Sequence, residues 1–119
     1  MTRALVVDDE LDICMMVSTH LQKLQFETQY ALSVKEALLK VDASTYQLLF
    51  IDIDLTDGSG FDVISHLQKS ESDMKIIVIS AYQNEVNKAL EMGANLFIPK
   101  PFSIKTINEA LKTLNFLSL

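Results

Sequence analysis

Leu48-Leu49-Phe50-Ile51-Asp52-Ile53-Asp54-Leu55-Thr56-Asp57-Gly58-Ser59-Gly60 is the stretch that decides the fold. Its first four residues are apolar and bounded by turn formers, the pattern of a strand buried on both faces. The run then meets Asp52, Asp54 and Asp57. Acids so closely spaced cannot continue a buried strand, because an isolated ionised group in a low-dielectric interior is too costly. The strand is therefore expected to emerge at Asp52 and to run into a Gly-Ser-Gly turn. In an open parallel α/β sheet, ligands collect in the crevice beyond the carboxyl ends of the strands. Asp52 is placed where chemistry would be done.

Outward from this stretch the same unit recurs. Residues 4–7 read as a buried strand ending at Asp8-Asp9-Glu10. A helical stripe of Ile13, Met16, Val17, Leu21 and Leu24 follows, with Cys14, Met15 and Met16 expected as core filler. Phe26, Thr28 and Tyr30 alternate with polar residues, as in a half-exposed strand at a sheet edge. Ser33 can cap a helix striped by Val34, Ala37, Leu38 and Val41. Beyond Gly60, a short helix carries Phe61, Ile64 and Leu67, and residues 76–79 form a buried strand stopping at Ser80. Val86, Ala89 and Leu90 stripe the next helix, closed by Gly93. Residues 96–98 make a short strand ending at Pro99-Lys100-Pro101. Ser103 then caps a last helix with Ile104, Ile107, Leu111 and Leu114 facing inward. Five strand–helix units in strict alternation, with no Pro- or Gly-rich linker, predict one doubly wound α/β domain over residues 1–119, its parallel strands joined by right-handed crossovers.

Composition narrows the class of function. A chain of 119 residues, 49% hydrophobic and 22% charged, is globular and can build a core without disulfides or structural metal. A net charge of −6 argues against nucleic acid or an anionic membrane as a direct partner. The single Cys14 cannot form an internal disulfide, which fits a reducing compartment. The opening apolar run is too short for a signal peptide, and nothing approaches the roughly 20 apolar residues needed to span a bilayer. A cytoplasmic domain is expected.

The polar residues at the strand ends form a set: Asp8 and Asp9, Asp52, Ser80 and Lys100. All would leave the same edge of the sheet. Two carboxylates about 4 Å apart repel by roughly 4 kcal/mol at an effective dielectric near 20, so three together call for a cation. Oxygen ligands with room for water suit a hard ion, Mg²⁺ before Ca²⁺. Lys100 can hold a phosphoryl oxygen and the Ser80 hydroxyl can donate to another. One carboxylate is left free to attack phosphorus. Taken singly, Asp8, Asp9 or Glu10 would serve as well to cap the first helix, and Ser80 to make a turn. His20 and His66 are isolated and read as structural or surface residues.

The segments Leu5-Val6-Val7-Asp8-Asp9-Glu10, Phe50-Ile51-Asp52, Asp57-Gly58-Ser59-Gly60, Ile79-Ser80-Ala81 and Lys100-Pro101-Phe102 together resemble the receiver domain of two-component response regulators. The resemblance implies a flavodoxin-like (βα)5 fold with strand order 2-1-3-4-5. It implies that Asp52 takes a phosphoryl group from a phosphohistidine on a sensor histidine kinase or phosphotransfer protein. Mg²⁺ would be held by Asp8, Asp9, Asp52 and the backbone carbonyl of Asp54. Lys100 would contact the phosphoryl group, Ser80 would swing toward it, and Phe97 would be the switch aromatic of an output face formed by the fourth helix, fifth strand and fifth helix. The Lys100–Pro101 bond would be cis. Such a chain phosphorylates and dephosphorylates only itself. It acts on a downstream effector or on an output domain outside the chain, and it allows a homodimer. Thr56 stands where many relatives have proline, and Phe97 lacks the hydroxyl of the frequent tyrosine.

Ile51-Asp52-Ile53-Asp54-Leu55-Thr56 also resembles the Asp-x-Asp-x-Thr motif of haloacid-dehalogenase-type phosphatases, with Asp52 as nucleophile and Asp54 as general acid. Against this, the acidic pair comes first in the chain, and its length leaves no room for a cap domain. The closing Asn115-Phe116-Leu117-Ser118-Leu119 fits either a native terminus or the start of a linker.

Overall fold

Strand and helix alternate throughout the computed structural model, which describes residues 1–118. The order is β1 (Arg3–Val7), α1 (Leu11–Lys23), β2 (Glu27–Ala31), α2 (Val34–Ala43), β3 (Leu48–Asp52), β4 (Asp54–Leu55), β5 (Gly58–Ser59), α3 (Gly60–Lys69), β6 (Lys75–Ser80), a 3-10 turn (Gln83–Glu85), α4 (Val86–Glu91), β7 (Leu96–Pro99) and α5 (Ile104–Thr113). The main sheet runs β2-β1-β3-β6-β7 and all its pairings are parallel. Counting only its five strands, this is the expected order 2-1-3-4-5. Among the described residues, no helix is long and apolar enough to cross a membrane.

Leu48, Leu49, Phe50 and Ile51 of the central strand are all 0% exposed. Successive side chains of a strand point to opposite faces, so the run feeds two cores. Leu48 and Phe50 join Cys14, Val17 and Leu21 of α1 and Ile107 and Leu111 of α5. Leu49 and Ile51 join Ala37 of α2, Val63, Ile64 and Leu67 of α3 and Ala89 of α4. Each such side chain contributes about 1.5–3 kcal/mol by leaving water. The sheet is therefore fixed from both sides, and its carboxyl edge is a rigid platform.

The helix ends follow the expected side-chain chemistry. Ser33 accepts from the Glu36 N–H and caps α2, and Ser103 accepts from the Thr106 N–H and caps α5. Gly93, at φ +107°, closes α4: its N–H bonds to the Leu90 carbonyl and the Ala94 N–H to that of Ala89, the reciprocal pattern of a left-handed helix stop.

Four local expectations are corrected. Gly58-Ser59-Gly60 is not a turn. Gly58 and Ser59 pair back onto Leu55 and Asp54, and Ser59 and Asp62 form a capping box that starts α3 at Gly60. Two satisfied backbone donors favour the cap, and the chain reverses at Thr56-Asp57 instead. Met15, Leu90 and Ile104 are 48%, 47% and 36% exposed. Each lies on the rim of a helical stripe whose buried arc is taken by Cys14 and Val17, by Ala89, and by Ile107 and Leu111. The Lys100–Pro101 bond is cis, as expected. At the other end of the sheet the Phe116 ring lies 6.0 Å from that of Phe26; Leu119 lies outside the described residues.

Candidate functional site

Parallel register brings the strand ends to one level. Val7 pairs with Ile51, Asp52 with Ile79, and Ser80 with Pro99. The residues that close or follow these strands, Asp8, Asp52, Ser80 and Lys100, therefore leave the sheet side by side. Gly60 packs the loop onto this edge: its N–H donates to the Ile53 carbonyl at 2.8 Å. A Cβ at position 60 would lie 2.3 Å from the Asp52 carbonyl oxygen, so the close approach requires glycine.

Lys100 Nζ lies 2.8 Å from Asp8 Oδ2 and 3.0 Å from Asp52 Oδ2. Carboxylate oxygens of Asp8, Asp9 and Asp52 lie within 4.8 Å of one another. Asp52 does not emerge into solvent as its sequence neighbours imply: it is 4% exposed, and Asp8 is fully buried. Asp8 and Asp52, with Glu10 further off at 3.9 Å, thus face one ammonium in a partly dry site. Burial pushes the Asp52 carboxyl above its usual range; hydrogen bonding and charge from Lys100 oppose this, while the Asp8 charge adds to it. Burial alone would push the Lys100 ammonium down, but the hydrogen bonds and charges of Asp8 and Asp52 outweigh it and hold the amine above its ordinary value.

The donor set fits a hard divalent cation. Asp8 Oδ2 is fully buried, and the partner the structure gives it is the Lys100 ammonium at 2.8 Å. Asp8 Oδ1 accepts from the Glu10 N–H at 2.8 Å. The Glu10 side chain caps nothing at the start of α1, so helix capping accounts for only one oxygen of the acidic run. A buried Asp8 oxygen held by an ammonium that can exchange partners, beside two more carboxylates, suits oxygen-only coordination. Next to it, burial and the Asp8 charge push the Cys14 thiol up to about 12, so it is an inert core residue as expected.

Ser80 stands at the same edge, fully buried, but its hydroxyl is turned away. It donates to Glu85 Oε1 at 2.5 Å and accepts from the Tyr82 N–H at 3.0 Å. Glu85 also faces Asp54. Burial pushes the Glu85 carboxyl up, the Ser80 hydrogen bond opposes this, and the charges of Asp54 and Asp52 push it further up. Asp54 itself is exposed, and its N–H donates to Asp52 Oδ1 at 3.3 Å. Phe97 is half-buried against the core on the α2–α4 side of the sheet. His20 bonds to Asn108 and His66 to Asp42, each at 2.7 Å and with no part in the site.

A sequence profile of the response regulator receiver domain matches residues 4–112. The chain belongs to this family. It is 32% identical over 113 residues to the response regulator protein PilR of Pseudomonas aeruginosa, covering 93% of this chain and 25% of PilR. It is 34% identical over 115 residues to the sensory transduction protein LytR of Staphylococcus epidermidis, covering 92% of this chain and 44% of LytR. The chain thus spans less than half the length of these curated relatives. Among solved structures it resembles the response regulator TrrA of Thermotoga maritima in complex with Mg²⁺-BeF, at TM-score 0.86 and 32% identity, covering 96% of this chain and 99% of that one. The phosphatase alternative finds no support in these matches.

Two residues of this receiver domain carry weight that pattern reading does not reveal. Asp57, one of the acids that end the strand and part of the segment that carries the family resemblance, accepts from the Val34 and Lys35 N–H groups at 2.8 and 3.1 Å, so the loop after Asp52 caps α2 from a distance. Glu85 has no periodicity or motif to mark it, and only the backbone path after Ser80 brings it back to that hydroxyl.

Proposed function

We propose that Asp52 accepts a phosphoryl group from a phosphohistidine on a sensor histidine kinase or phosphotransfer protein, and that residues 1–119 act as one cytoplasmic receiver unit. The observation that carries this reading is a buried Asp52 in contact with Lys100 and within shared-ligand range of Asp8 and Asp9. An Asp52 carboxylate oxygen attacks phosphorus, the P–N bond breaks, the imidazole leaves with the electron pair, and a carboxyl–phosphate anhydride forms. Lys100 exchanges part of its contact with Asp8 and Asp52 for a phosphoryl oxygen. Asp8, Asp9, Asp52 and the Asp54 carbonyl would hold Mg²⁺, which when bound offsets the charge on the phosphoryl oxygens. The TrrA complex supports this, since beryllofluoride stands in for a phosphoryl group.

In this reading the chain catalyses only its own phosphorylation and the hydrolysis of its own acyl phosphate. Ser80 and Phe97 carry the change to the face made by α4, β7 and α5, where a downstream effector or a further output domain responds, with self-association of the receiver as one form of response. The test is intact-mass measurement after incubation with a small acyl phosphate and Mg²⁺. One phosphate per chain is expected, lost in Asp52→Asn and suppressed by a chelator. Labelling that survives Asp52→Asn overturns the assignment.

A further inference from the structure

The Ser80 hydroxyl has one proton to give, and it is committed to Glu85 Oε1 at 2.5 Å, a short charge-assisted bond. Ser80 is 0% exposed, so no water shell offers that proton another partner. Its backbone is fixed as well: the Ser80 carbonyl accepts from the Lys100 N–H at 2.8 Å. Side-chain rotation is the motion left to it. Glu85 lies at the end of the 3-10 turn and at the N-cap of α4, yet its side chain caps nothing there. That carboxylate is spent on the strand end instead of on its own helix.

We infer that Glu85 is a latch: a positioning residue that holds the Ser80 hydroxyl away from the Asp52 site and ties the first turn of α4 to β6 until a phosphoryl group displaces it. The inference rests on the reading of Asp52 as phospho-acceptor. A phosphoryl oxygen competes directly for the single hydroxyl proton. Its negative charge also adds to a field that Glu85 already feels from Asp54 and Asp52. Both effects act in one direction, so occupancy of Asp52 biases a two-state contact. The element released is weakly anchored: α4 has six residues, of which only Ala89 is buried, and its other ties include Lys88 over the Phe61 ring at 4.4 Å and, at the C-cap, the Met92 carbonyl accepting from Gln68 Nε2 at 3.0 Å. Loss of the Glu85–Ser80 bond therefore reaches α4 without any rearrangement of the core.

The experiment is a beryllofluoride titration in Mg²⁺, followed by amide resonances, on wild type, Glu85→Ala, Glu85→Gln, Ser80→Ala and the Ser80→Ala/Glu85→Ala pair. Freeing the hydroxyl from a charged partner is expected to tighten beryllofluoride binding by about tenfold in Glu85→Ala. Residues 86–91 of that variant, free of ligand, should shift toward their positions in the wild-type complex. Glu85→Gln keeps an acceptor for Ser80 and should gain less. Most of the gain should vanish in the Ser80→Ala background, because the latch acts through that hydroxyl. An unchanged affinity in Glu85→Ala, or a gain in Glu85→Ala that survives intact in the Ser80→Ala background, overturns the latch while leaving the phospho-acceptor in place. A wild type that binds no beryllofluoride overturns both.

Discussion

Asp52→Asn should make the metal-free protein more stable even as it abolishes phosphorylation. Asp8, Asp9 and Asp52 have oxygens within 4.8 Å of one another, which corresponds to about 3–4 kcal/mol of repulsion per pair at an effective dielectric near 20. Lys100 at 3.0 Å returns about 5–6 kcal/mol of attraction to Asp52 on the same scale. Neutralising Asp52 removes two repulsions and one attraction, a small net gain, and also removes the penalty of holding that carboxylate out of water. Lys100 is not stranded, because Asp8 remains 2.8 Å from it. A gain of about 1–3 kcal/mol in unfolding free energy at pH 7 follows, well below the full desolvation term. Urea denaturation in a chelator measures it directly. The pH dependence has a definite sign. Burial holds the folded Asp52 carboxyl above its ordinary value of 3.8. Folding therefore takes up a proton in the intervening window, and wild-type stability from this group is fully present below that value and lost as pH rises through the folded one. The gap between variant and wild type should thus be small near pH 4, widen toward pH 7, and close again when Mg²⁺ is added. A variant no more stable than wild type at pH 7 in chelator refutes the reasoning, as does a gap that Mg²⁺ leaves unchanged.

Gly60→Ala places a Cβ 2.3 Å from the Asp52 carbonyl oxygen; it should cost about 1–3 kcal/mol by urea midpoint and slow phosphorylation by moving Asp52. Asp57→Ala removes the acceptor for the Val34 and Lys35 N–H groups and should lower the melting temperature at pH 7. Those two bonds hold the Asp57 carboxyl below its ordinary range, so its contribution is present above the unfolded value and lost as pH falls through the folded one; the two melting temperatures should converge in acid. Asp54→Asn should still be phosphorylated but should lose phosphate more slowly, since an exposed carboxylate at the mouth of the site can orient the attacking water, an effect typically worth about 10²-fold when well placed; an unchanged decay rate, followed by intact mass, removes that role.

What the residues disclosed of this fold and site follows from where burial and chemistry coincide. Asp8, Asp52, Ser80 and Lys100 each follow or close an apolar run, so the same short stretch announces a buried strand and the polar group at its end. Parallel register then supplies their convergence without further information. Met15, Leu90 and Ile104 were misplaced because helical spacing locates a stripe but not its edges, and one position at the rim is about 100° of rotation. The Gly58–Ser59 pairing was hidden because glycine and serine serve turns and caps alike, and Asp62 three residues on is what selects the cap. Asp57 and Glu85 lie at a deeper limit. Each acts on a group fixed by the path of a loop, with no recurring spacing to betray it. Asp57 reaches back to a helix end twenty-three residues away. Glu85 is only five residues from Ser80, yet nothing in a string of letters says that a 3-10 turn will fold the carboxylate back onto that hydroxyl. The acidic cluster was legible because three like charges at one edge are unstable without a purpose; the latch was not, because in the folded chain it is simply a hydrogen bond that is satisfied. Groups that are electrostatically expensive show themselves in sequence, whereas groups that set a switch by being comfortable in one of its two states show themselves only in structure.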